Sequence, residues 1–99
     1  MKIVISEDQS DRMVGIIRRI VSTIDFDGGV KDFEVYPPDY EDESPTYDIM
    51  LNLNYDWIQE NEFHAQRYLR NVKSGVKDKI IELTGLKNIY VGSTMKDLR

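Results

Sequence analysis

Cysteine is absent from this chain of 99 residues, which removes disulfides, thiolate nucleophiles and cysteine-based zinc sites together. Histidine occurs once, at His64, so a metal site would have to be built from carboxylates. Long apolar runs are missing as well. Nothing approaches the roughly 18 residues of a membrane span, and the one apolar opening, Met1–Ile5, runs straight into Ser6-Glu7-Asp8 and is too short for a signal-peptide core. The phosphate loops GxxxxGKS/T and GxGxxG and the nucleophile elbow GxSxG do not occur. Repeats, low-complexity stretches and linkers are also lacking, so the expectation is one domain over residues 1–99 in a soluble, cytoplasmic protein.

What the chain has is charge. Thirteen basic and 18 acidic side chains leave a net −5, beside 40% apolar residues, enough for one modest core. Ser6 with Gln9 spells a capping box, and Glu7, Asp8 and Asp11 favour the positive end of a helix. Met13, Ile16, Ile17, Ile20, Val21 and Ile24 then form a one-faced stripe, which predicts a helix over 7–24. Gly15 inside it costs about 1 kcal/mol relative to alanine, which suggests that another element approaches closely there. Asp25-Phe26-Asp27-Gly28-Gly29 ends the helix in a turn. Its likeness to a calcium loop fails, because Gly29 stands where an acidic ligand belongs and no glutamate closes the loop.

Two strands follow. Val30–Tyr36 alternates until Pro37-Pro38 stops it, and Tyr47, Ile49, Leu51, Leu53 and Tyr55 alternate with polar residues in the strongest strand pattern of the chain. Asp56 with Gln59 offers a cap for a long second helix running to about Thr84, with Ala65, Leu69, Val72, Val76, Ile80 and Leu83 on its buried face. Ser74-Gly75 is a place for a kink. Gly85 suits the left-handed cap, with Leu86 making its apolar contact. A last strand is expected over Asn88–Val91, ended by Gly92-Ser93. The fold class is α+β, two helices on one face of a small antiparallel sheet. With a strand at Lys2–Ile5 the order is βαββαβ, ferredoxin-like, and this is the preferred reading; without it the order is αββαβ.

Catalytic chemistry finds little support. Ferredoxin-like order at this length invites comparison with acylphosphatases, whose phosphate loop carries glycine and arginine after the first strand. Here that junction reads Ile5-Ser6-Glu7-Asp8-Gln9, which repels phosphate. His64 reads as an ordinary helix residue paired with Glu60. No catalytic residue, metal or cofactor is assigned, and an enzyme is not expected.

The charge is unevenly spread. Residues 1–50 hold five basic and twelve acidic side chains, a balance of −7, whereas residues 51–99 hold eight and six, a balance of +2. Asp39, Glu41, Asp42 and Glu43 form an acidic run between Tyr36, Tyr40 and Tyr47. The prolines Pro37, Pro38 and Pro45 stiffen this segment, which makes it the candidate partner-binding surface. Arg67, Arg70, Lys73 and Lys77, spaced 3, 3 and 4 apart, are the alternative: a basic strip on the second helix, able to follow a phosphate backbone. Acids at Asp32, Glu34 and Asp48 on the open sheet face oppose a polyanion, so specific duplex DNA binding is not expected.

The opening Met1-Lys2-Ile3-Val4-Ile5-Ser6-Glu7-Asp8-Gln9 resembles the start of small, uncharacterised accessory proteins of tailed phages and marine viral genomes. These begin with a lysine-isoleucine run, then serine or threonine, glutamate and glutamine, and lead into an amphipathic helix. The resemblance covers about the first dozen residues, and beyond them only the general architecture. Asp8 departs from the serine or asparagine usual there, a harmless change in a first helical turn. The resemblance implies a phage-encoded protein of the host cytoplasm or the virion, and it carries no catalytic residues. The expected function is a small non-enzymatic interaction protein, an inhibitor, adaptor or virion component. It would bind a protein partner, or a second copy of itself, through charged surfaces. The alternative is a nucleic-acid-binding module using the basic strip.

Overall fold

The computed structural model describes residues 7–95. Helix α1 spans Glu7–Ser22, and its stripe buries Ile17 and Val21 completely, with Met13, Ile20 and Ile24 packed around them. Ile16, counted in the stripe, stays 45% exposed. The helix ends two residues earlier than its periodicity suggests, because the Ser22 and Thr23 hydroxyls donate to the Arg19 and Ile20 carbonyls and tighten the last turn. Among the described residues no other element approaches Gly15: a Cβ added there would meet nothing within 4 Å, where close packing was expected.

The turn forms as expected. Asp25 Oδ1 accepts from the Asp27 amide at 2.9 Å, Asp27 takes φ 56°, and Gly28 follows at φ 91°, the left-handed region glycine tolerates. Strand β1, Val30–Tyr36, then pairs antiparallel with β2, Tyr47–Leu53, with an irregularity between Val30 and Asp32.

The long second helix of the sequence reading is two helices. Asn54, not Asp56, caps the first of them, its side chain accepting from the Trp57 amide at 3.4 Å. Helix α2, Tyr55–Glu60, stops where both the amide N–H and the side-chain Nδ2 of Asn61 donate to the Trp57 carbonyl. After a turn over 61–64, α3 runs unbroken from Ala65 to Thr84, straight through Ser74-Gly75. It buries Ala65, Val76 and Ile80 and closes on Gly85 at φ 74°, whose N–H reaches the Ile81 carbonyl. Leu86 packs on the core as its cap position predicts, whereas Leu83 points outward, 57% exposed, and Ile81 packs on the core.

Strand β3, Ile89–Thr94, continues through Gly92-Ser93, where a stop was expected. It lies parallel to β2, so the order β1-β2-β3 is a mixed sheet and not the antiparallel one anticipated. The reason is length. Twenty helical residues cover about 30 Å, more than the run of β2, so the chain returns to the strand's starting end before re-entering the sheet. A ferredoxin-like order would put the first strand between β2 and β3, which are instead hydrogen-bonded directly to each other. The strand expected at Lys2–Ile5 and the Ser6 cap lie outside the described residues. Within 7–95 the order follows the shorter αββαβ alternative, its second helix divided.

Helices α1 and α3 pack on each other and on one face of the sheet. Between them lies the core: Ile17 and Val21 from α1, Val76 and Ile80 from α3, and Val35, Tyr47, Ile49, Leu51 and Ile89 from the strands. The odd-numbered face of β2 is the buried one, as its alternation required. No helix among the described residues is long and apolar enough to cross a membrane.

Candidate interaction surface

The connection from β1 to β2 has internal order. Pro38 is buried and anchors its start. Asp39 then folds the chain back, its Oδ1 accepting from the Glu41 amide and its carbonyl from the Asp42 amide, each at 3.0 Å. At the far end Asn88, just before β3, clasps the loop on two sides. Its Nδ2 donates to the Pro45 carbonyl at 3.3 Å, and its own carbonyl accepts from the Tyr47 amide at 2.9 Å. Held between these anchors, Asp39, Glu41, Asp42 and Glu43 are all exposed, with Tyr36 at 46% and Tyr40 at 45%.

Tyr47 is the exception among the candidate residues. At 5% exposure it belongs to the core and presents no contact area to a partner. Its place on the alternating face of β2 accounts for this, and the acidic residues nearby do not alter it. The basic strip takes another element. Arg67, Arg70 and Lys77 are exposed on α3 and Lys73 is half-buried, so strip and loop belong to different elements. His64 is exposed in the turn before α3, on a different helix segment from Glu60. Among the described residues no three acidic or histidine side chains gather closely enough to hold a metal ion.

Three features went unread in the sequence. One is a buttress beneath the Asp25–Gly29 turn. Trp57 and Tyr68 pack ring against ring, tilted by 42° with centroids 4.4 Å apart, and the Tyr68 hydroxyl donates to the Phe26 carbonyl. Burial, then the nearby Asp27 carboxylate, raises the Tyr68 pKa above its ordinary value. A second is a cleft of about 320 Å³ beside this buttress, with Ile24, Val72 and Val76 lining it and Asp25 and Asp27 among its residues.

The third is the sheet face opposite the helices. Register aligns three rows across it: Tyr36, Asp48 and Tyr90; Glu34, Met50 and Gly92; Asp32, Asn52 and Thr94. The Tyr36 hydroxyl donates to the Glu34 carboxylate, Thr46 Oγ1 donates to Asp48 at 2.6 Å, and Asn52 Nδ2 donates to Asp32. Tyr90 is 55% exposed. A Cβ at Gly92 would come within 2.9 Å of the Met50 sulfur and 3.0 Å of the Tyr90 ring, so glycine lets those two side chains close over the strand. The signal for Tyr90 was available, since alternation with Ile89 and Val91 puts it on the outer face.

No protein-family model matches the chain, and no curated protein or solved structure matches it either.

Proposed function

We propose that this chain is a small, phage-encoded, non-enzymatic interaction protein, an inhibitor, adaptor or virion component. In this reading it works in the host cytoplasm or the virion and binds a basic macromolecular partner through the β1–β2 loop. The observation that carries the reading is the combination of order and exposure in that loop. Four carboxylates and two half-exposed tyrosines stand on a backbone already fixed by Pro38, Asp39 and Asn88. A pre-ordered loop loses less conformational entropy on docking, and its charge steers encounter with a cation-rich surface.

The alternative reading is a nucleic-acid-binding module that tracks phosphates with Arg67, Arg70, Lys73 and Lys77, supported by the exposure of three of them along α3. Capture from a host lysate, with and without nuclease, separates the two. The loop reading expects the captured partner to survive nuclease and to be lost when Asp39, Glu41, Asp42 and Glu43 are changed to Asn or Gln. Capture that disappears with nuclease, and with neutralisation of the α3 strip, establishes the nucleic-acid reading instead.

A further inference from the structure

We infer that the outer face of the sheet, where Tyr36 and Tyr90 flank Asp48 above Met50, receives an arginine side chain of the basic partner. This rests on the reading of a basic partner given above and names the group that partner must present.

Charge gives the first reason. The nine positions of this face hold three carboxylates, Asp32, Glu34 and Asp48, and no lysine or arginine. Asp32 and Asp48 each accept a hydrogen bond from a neutral neighbour, Asn52 and Thr46, which leaves their negative charge in place. A cation is favoured here and a phosphate is opposed.

Shape gives the second. Tyr36 and Tyr90 occupy one row on the two outer strands, two strand spacings or about 10 Å apart, and both rings are about half-exposed. Between them the floor is the Met50 thioether, which together with the Tyr90 ring covers the side-chain-free Gly92. Aromatic faces with a polarizable floor suit a flat cation that stacks as it binds.

Ligand chemistry gives the third reason, and it selects arginine over lysine. Carboxylates and aromatic rings stand together on this face, Asp48 between Tyr36 and Tyr90 in one row and Glu34 beside Met50 in the next. Guanidinium brings five N–H donors and no acceptor, forks onto carboxylates and stacks on rings, none of which a rounded ammonium matches.

The test compares oligoarginine with oligolysine of equal length, titrated against the whole chain at about 150 mM salt, where long-range charge effects are screened. The expected result is about tenfold tighter binding of oligoarginine. Tyr90→Ala should abolish that preference and Tyr90→Phe, which keeps the ring face, should retain it. Neutralising the four loop acids should weaken both peptides alike and leave the preference intact. Equal affinity for the two peptides, or a preference that survives Tyr90→Ala, overturns the arginine site while the loop reading stands on its own variant. Failure of both peptides to bind overturns the two together. Concentration-dependent self-association that Tyr90→Ala abolishes would make a second copy the occupant and overturn the partner assignment.

Discussion

Gly15 sits inside α1 with no neighbour for an added methyl group, so it weakens the helix without any packing benefit among the described residues. Gly15→Ala is expected to raise stability by about 1 kcal/mol, a shift of several degrees in Tm by thermal denaturation. Tyr68 is the opposite case, a side chain with three tasks: packing its ring against Trp57, bonding the Phe26 carbonyl, and filling the space that Gly29 leaves open. Its folded pKa is raised, so its neutral form adds stability fully below the unfolded value near 10, and that contribution is lost as pH climbs through the folded pKa. Tyr68→Phe should therefore cost about 1 kcal/mol at neutral pH and show a smaller loss of stability above pH ~10, measured by denaturation across that range. The last two of these tasks could not be read from sequence, because they depend on contacts across some forty residues. Tyr47 is different. Two patterns claimed it, the strand alternation and the tyrosine-acid run, and burial of a whole ring outweighs a place near a charged loop.

Among the elements, β2 decides the fold. It is paired on both sides, antiparallel to β1 and parallel to β3, and its inward residues Ile49 and Leu51 are fully buried. Leu51→Asp would place an unpaired charge there, at a cost of several kcal/mol against a typical margin of about 5–15 kcal/mol. The expected outcome is a chain unfolded, or melting far below the parent, by circular dichroism. Melting within a few degrees of the parent would mean that the register of β2 is wrong. The two strands of the hairpin, the α1 stripe and the Gly85 cap were legible because each is a local pattern. The break at 61–64 was not, since Asn61 ends α2 through bonds to Trp57 that no periodicity records. The parallel entry of β3 was hidden for a related reason: alternation identifies a strand's faces and is silent about its direction.

At the scale of the whole molecule, the acidic half and the basic strip of α3 coexist on a chain of net −5. Phosphate contacts dominate affinity for duplex DNA, so specific binding is not expected, and titration of labelled duplexes at about 150 mM salt should show no micromolar complex. A salt-sensitive complex of that strength would contradict it. Composition made this charge asymmetry legible, whereas the clasp of Asn88 on the loop and the rows of the outer sheet face needed the register. The parallel pairing of β2 with β3 also bears on how the molecule is made. The hairpin of β1 and β2 is complete once residue 53 has been synthesised, but one edge of β2 stays unpaired until Ile89–Thr94 has followed. During that interval the nascent chain carries an open, apolar strand edge, the kind of template on which chains aggregate. A ribosome that stalls before residue 89 would therefore release a sticky fragment, and the yield of soluble protein should depend on steady elongation through α3.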